Sequence, residues 1–319
     1  MFNSLVSVVS LIACSYFFLI VKKAGISGYL YSIIISHFIC CLYLFLGGNI
    51  YRYCRLSIEH RVLRQMLIYG IPLIPNTIAW WINTASDRYL ILLYLGSSFN
   101  GLYSVAAKIP NIISIVTTIF FQAWQISGVK EFGNKSYSSF YSNIYNVFTA
   151  LIFSVSSIII YLIPYIGGLL FKSQFISSWK YVPFLILGSV FSGLSGVLSP
   201  VYQAVKKTSV LMVSTLVGAV INILINIQFL PKFGLQVATI SIFISFVSVW
   251  IIRLILVRKY VEVKINWYIL IISTMLLSLQ TVLLLLGHYL YSNYILLISL
   301  MVVSVNFIGI FPLLKKFNK

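Results

Sequence analysis

Long apolar runs separated by short polar loops set the pattern of the chain. Ten runs stand out, over 2–21, 28–48, 66–84, 103–127, 141–163, 181–204, 209–230, 234–256, 267–287 and 293–314. Each is close to the ~20 residues that carry an α-helix across ~30 Å of hydrocarbon. The pattern predicts an all-α polytopic membrane protein of about ten transmembrane helices. The first run lacks both a basic leading segment and a small-residue cleavage pattern, so it reads as a mature helix and not a signal peptide.

Two stretches depart from the pattern. In the third run Pro72 and Pro75 each remove a backbone donor, which predicts a bend there. Tyr89–Leu95 (YLILLYL) is apolar but too short to span alone. A helix unbroken from Met66 to its end would reach about 45 Å, so the segment reads as a short interfacial or re-entrant piece. Tyr51–Gln65 carries Arg52, Arg55, Arg61 and Arg64 among Leu56, Ile58, Val62 and Leu63, with Ser57 as a candidate N-cap. It reads as a basic helix lying on the cytoplasmic membrane surface.

Composition agrees with the class. Of 319 residues 61% are hydrophobic and 8% charged, against roughly 25% charged in soluble domains. The net charge of +18 sets 22 Lys and Arg against Glu59, Asp87, Glu131 and Glu262. The cations lie in short loops and form no continuous basic face, which argues against nucleic acid as a partner. Fifteen fall in the even-numbered loops and the C-terminal tail, six in the odd loops, and Lys108 within a run. The positive-inside rule then places both termini in the cytoplasm. It also puts Asp87 and Arg88 at the outer end of the third helix, with Lys108 just inside the next.

Little in the chain suggests catalysis. Cys14, Cys40, Cys41 and Cys54 have no metal or redox spacing, and His37 and His60 have no partner pattern. Paired carboxylates, a nucleophile elbow, a P-loop and a Gly-rich phosphate cradle are all missing, so no enzyme, cofactor or ATP-driven pump is expected. What remains is a bent helix, an Asp87–Arg88 charge pair and the intramembrane cation Lys108, a grouping that points to a polar cavity.

The order IPLIPN, then SDRYLILLYLGSSFNGLYSVAAKI, then FFQAWQ before a K-x-F loop resembles the bacterial Wzx-type oligosaccharide flippases. These belong to the multidrug/oligosaccharidyl-lipid/polysaccharide exporter superfamily. A second block, PFLILGSVFSGLSGVLSPVYQAVKKTSVLMVSTLVGAVINILINIQFLPKFGLQVATISIFIS, resembles that family's C-terminal half, and the likeness covers about residues 51–265. It implies two six-helix lobes about a central cavity. On that reading 1–50 is a remnant of the N-terminal lobe, 51–65 a cytoplasmic linker helix, 66–257 the C-terminal lobe, and 258–319 two additional helices with a basic tail. The helix bearing IPLIPN matches the seventh, so four N-terminal helices are expected to be missing.

The resemblance implies flipping of undecaprenyl-pyrophosphate-linked oligosaccharide repeat units across the bacterial cytoplasmic membrane, for surface polysaccharide or O-antigen. Its partners are then the lipid-linked oligosaccharide, bilayer lipids and other polysaccharide assembly proteins. Arg88 and Lys108 are candidates for the anionic headgroup. Asp87, Asn76, Asn83, Gln122, Gln125 and Trp124 are further candidates for binding, by hydrogen bonds to sugar hydroxyls or, for Trp124, by stacking. Each has a plainer reading: Lys108 snorkels, Asp87 pairs locally with Arg88, Asn222 and Asn226 join two helices, Trp80 and Trp81 belong to the interfacial belt, and Ser189, Ser192, Gly193 and Gly196 permit close packing. A cation-coupled multidrug antiporter of the same superfamily, a non-transporting fragment and a lipid-linked sugar polymerase or ligase are the competing functions.

Overall fold

The structure, a computed structural model, describes residues 2–49, 59–71, 73–130, 137–170 and 173–317. A few side chains within these, Thr84 and Gln125 among them, lie outside the description. Every regular element among the described residues is a helix, and the chain divides into two compact units, Met1–Leu63 and Arg64–Lys319.

In the first unit α1 (Phe2–Ser15) runs through a π-helical turn (Tyr16–Val21) and reverses at Lys23 and Gly25 into α2 (Gly25–Gly47). The buried positions of α2 are Gly28, Ser32 and Ser36, one per turn along a single face. These small residues let the backbones approach, and a Cβ on Gly28 would lie 3.0 Å from the Phe18 carbonyl oxygen. Ser36 adds a 3.1 Å bond to the Ser7 carbonyl. The unit boundary falls within α3 (His60–Gly70), an exposed amphipathic helix bearing Arg61 and Arg64. The first part of the expected linker helix, with Arg52, Arg55 and Ser57, lies outside the described residues.

The second unit opens with α4 (Leu73–Leu95), which corrects two expectations. Pro72 lies outside the described residues, and Pro75 sits in the first turn of α4, where no intrahelical donor is required, so the helical break falls between α3 and α4 and not within a span. Because α4 starts at Leu73 and not at Met66, its 23 residues rise about 35 Å, and Tyr89–Leu95 continues it as ordinary helix. The expected single span over 103–127 is instead two helices, α5 (Ser97–Ala106) and α6 (Pro110–Lys130), bent by 44°. Pro110 supplies the first residue of α6, and Lys108 falls in the break before it.

The remainder is α7 (Tyr137–Leu170), a 3₁₀ segment (Ser173–Tyr181), α8 (Val182–Val197), α9 (Ser199–Ala204), α10 (Ser209–Phe233), α11 (Gln236–Val257) and α12 (Trp267–Phe317). At Gly287 α12 folds back into two arms. Gln280 bonds Ser299 and Asn306 bonds Ser273, a constant sum of positions that makes the arms antiparallel. Seven described helical stretches are long and apolar enough to cross a membrane, or eight counting α5 and α6 as one broken span. The first helix stands outside this count because the stretch described in full is Val6–Val21, and α4 because it carries Asn76, Asn83, Asp87 and Arg88. The protein is a polytopic all-α membrane protein.

Packing fixes the register around the centre of this unit. Asn76 meets Thr215, Asn83 meets Asn222 and Asp87 meets Asn226, each pair 139 positions apart, so α4 and α10 run parallel. α8 is the most enclosed long helix, buried along nearly its whole length. Where it breaks before Pro200, the freed Val197 carbonyl accepts bonds from Trp124 Nε1 (3.3 Å) and the Tyr141 hydroxyl. Such side-chain repair is what a helix break inside hydrocarbon requires.

Candidate functional site

A cavity of about 480 Å³ lies inside the second unit, walled by α4, α6, α8, α10 and α11. Its lining is unusual for an apolar bundle. α4 contributes Asn76, Trp80 and Arg88, α6 contributes Asn111, Ser114 and Thr118, and α8 contributes Ser189, Ser192 and Ser195. On α6 the positions i, i+3 and i+7 form one polar stripe, so the helix that presents an apolar face elsewhere turns a wet face inward. Gly193 and Gly196 also line the space, so this stretch of α8 does more than permit close packing.

Arg88 and Asp87 are neighbours in sequence but part company in space, since successive helical residues point about 100° apart. Arg88 is exposed and lines the cavity. Asp87 is fully buried against α10. One of its oxygens accepts from Asn222 Nδ2 (3.0 Å) and Asn226 Nδ2 (2.8 Å), the other from the Tyr103 hydroxyl (2.9 Å). Asn83, also fully buried, accepts from Asn222 at 2.8 Å and donates to Ser245 Oγ at 3.0 Å. A buried carboxylate is tolerable only with such donors, because it loses its water on burial. The local Asp87–Arg88 pair expected from their adjacency is replaced by this network.

At the opposite end of the cavity stands Arg253, 6% exposed, on α11. It donates to Ser214, Ser195, Ser199 and Thr215. Thr215 in turn donates to Asn76 at 2.7 Å, which places Arg253 at the level of Asn76. The twelve residues from Asn76 to Arg88 rise about 18 Å along α4, so the cavity holds one guanidinium towards each end.

The other sequence candidates fall outside the cavity lining. Lys108 is exposed in the α5–α6 break, and its side chain has no hydrogen bond or ion pair among the described residues. Gln122 is exposed farther along α6, and the side chain of Gln125 lies outside the described residues. Trp124 is 4% exposed, stacked among Phe140 and Tyr141 with its indole N–H on Val197, and so offers no face to a sugar. Among the described residues of the expected set, Asn76 and Arg88 line the space, while Asp87 and Asn83 form the buried network behind it.

Arg253 is one of the fifteen cations assigned to the even loops and the tail, yet its position lies inside the apolar run 234–256. That placement was the available signal. No group of three His, Cys, Asp or Glu side chains fit for a metal occurs among the described residues.

No protein-family model matches the sequence, and no curated protein matches it. Solved structures do. The crystal structure of a MATE mutant superposes with a TM-score of 0.68 at 14% identity, covering 81% of this chain and 61% of that one. A structure of the lipid II flippase MurJ in an inward closed conformation superposes with a TM-score of 0.60 at 16% identity, covering 94% of this chain and 65% of that one. The chain thus spans a little under two thirds of the length of either protein. At these identities the likeness is one of fold: this chain has the helical architecture found in a MATE protein and in MurJ.

Proposed function

We propose that the protein is a non-enzymatic carrier that moves a lipid-linked oligosaccharide across the bilayer. The observation that carries this reading is a cavity inside an apolar bundle whose lining includes Arg88, Asn76 and the hydroxyls of α6 and α8. A phosphate-linked sugar cannot cross hydrocarbon unaided, since its hydroxyls and charges would lose water without replacement. Amides, hydroxyls and a guanidinium facing one cavity offer that replacement, and bidentate bonds to phosphate are what arginine does best. The volume falls within the ~300–1,000 Å³ of small-molecule sites, enough for the headgroup region while the tail stays in lipid. The shared fold with a protein described as a lipid II flippase supports the choice of cargo.

In finer terms the cargo is an undecaprenyl-pyrophosphate-linked repeat unit for surface polysaccharide, moved outward across a bacterial cytoplasmic membrane. Both chain termini face the cytoplasm, and the lobes rock about the bound headgroup in alternating access. The test is genetic. Cells lacking the gene accumulate the lipid-linked intermediate on the inner leaflet, and the wild-type gene clears it whereas Arg88→Ala, at equal abundance, does not. Normal surface polysaccharide without accumulation refutes the reading.

One observation favours a second function, cation-coupled antiport of a small organic solute. Asp87 is a fully buried carboxylate held by two amide N–H groups and a hydroxyl, the kind of group whose protonation can bias two conformations. Ion-gradient-driven efflux of a fluorescent organic cation from vesicles, abolished by Asp87→Asn, supports it. Absence of efflux leaves the flippase reading alone.

A further inference from the structure

Arg253 is a buried cation with no acidic partner among the described residues. Its four hydrogen bonds all end on neutral oxygens: Nε on Ser214 Oγ (2.9 Å), Nη1 on the Ser195 carbonyl (3.2 Å) and Ser199 Oγ (3.3 Å), and Nη2 on Thr215 Oγ1 (2.9 Å). No carboxylate lies within ion-pair distance of it among the described residues. Asp87 is engaged about 16 Å away along α4 from the Asn76 level, and Glu59 and Glu262 are exposed. A desolvated charge held only by neutral dipoles is incompletely compensated.

The same bonds leave donors over. A guanidinium has five N–H groups, so one hydrogen on Nη2 remains. Ser214 and Thr215 spend their hydroxyl hydrogens on other acceptors, but Ser199 only accepts, from Arg253, and keeps its own. Arg253 and Ser199 both line the cavity. The neutral contacts therefore orient the fork, and the charge with two hydrogens is left for an occupant.

We propose that this end of the cavity is an oxyanion site in which Arg253 and Ser199 bind a phosphate oxygen. The choice of phosphate rests on the function proposed above; the presence of an anion site rests on the uncompensated charge alone. The phosphate belongs either to a lipid headgroup or to a free phosphate species. In transport, the site holds the anion at the end of the cavity remote from Arg88, so that the two guanidiniums are successive stations along one path.

The experiment measures thermal stabilisation of the purified full chain by inorganic pyrophosphate in neutral detergent, and by phosphatidylglycerol against phosphatidylcholine in nanodiscs. Wild type is stabilised by one anion source or the other, which tells free phosphate from headgroup. In Arg253→Gln the apparent affinity falls about tenfold or more, as expected for a lost charge-assisted bond. Arg253→Lys retains part of it, and Lys264→Gln, a charge removed at an exposed position outside the cavity lining, leaves it in place. Should Arg253→Gln fail to fold, Ser199→Ala, which removes one long bond and one free donor, weakens the response severalfold. A wild type stabilised by neither anion, or an Arg253→Gln response equal to wild type, overturns the proposal. Anion binding in a protein that exports no lipid-linked sugar keeps this site and removes the proposed function; export without Arg253-dependent binding does the reverse.

Discussion

Replacing Asp87 separates the fold from the function. Asp87→Leu removes an acceptor that satisfies the Tyr103 hydroxyl, Asn222 Nδ2 and Asn226 Nδ2, all on buried residues. An orphaned buried donor costs ~1–3 kcal/mol, while interhelical polar bonds measured in a membrane average ~0.6 kcal/mol. Three donors therefore bracket the loss at about 2–9 kcal/mol, with the lower half favoured because Asn222 also bonds Asn83 and Asn226 also bonds Asn222. Asp87→Asn is nearly isosteric and keeps an oxygen for the two asparagines, and the Tyr103 hydroxyl can turn to accept from the new amide. Its stability cost is under about 1 kcal/mol. Equilibrium unfolding in mixed detergent micelles reads both variants. An Asp87→Leu protein as stable as wild type, or an Asp87→Asn protein as damaged as Asp87→Leu, refutes the network as the bond between α4 and α10.

Other substitutions test packing directly. Gly218→Ala puts a Cβ 2.5 Å from Val249 Cγ2 and 3.0 Å from Ser245 Oγ, so α10 and α11 must separate; the thermal midpoint falls by the equivalent of about 1–3 kcal/mol, and an unchanged midpoint contradicts the contact. Gln280→Leu removes bonds that tie α7 to both arms of α12 through Ser157 and Ser299. The expected loss is about 2 kcal/mol, read as lower abundance and earlier unfolding of the α12 arms in hydrogen exchange, and protection equal to wild type excludes the tie.

The class of fold was legible because hydrocarbon imposes one demand, about twenty apolar residues per crossing, that the runs meet openly. Helix breaks were harder. Pro72 and Pro75 announced a break, but only the structure shows that it precedes α4 and lets Tyr89–Leu95 complete the crossing. Pro110 marked the start of α6 equally well, yet the apolar run across it hid the bend that places Lys108 outside the helix.

The site was half legible for a similar reason. Polarity on α4 singled out Asn76 and Arg88, and spacing put Asn222 and Asn226 on one face. Which of two adjacent charges faces the cavity depends on the rotation of α4, set by its register with α10. Arg253 and the hydroxyl stripe of α8 depend on contacts from helices far away in sequence, which no local pattern records. Trp124 shows the converse: an aromatic residue suited to a sugar is spent on capping the broken α8.

The central claim is that the cavity is the path of the cargo. The direct measurement reconstitutes the full chain in vesicles with a fluorescent pyrophosphate-linked oligosaccharide lipid and follows its appearance in the opposite leaflet. Wild type moves it; Ser192→Trp, which fills the cavity from α8, stops it, and Arg88→Gln slows it about tenfold or more, all at equal incorporation. Movement at the wild-type rate with Ser192→Trp in place contradicts the account.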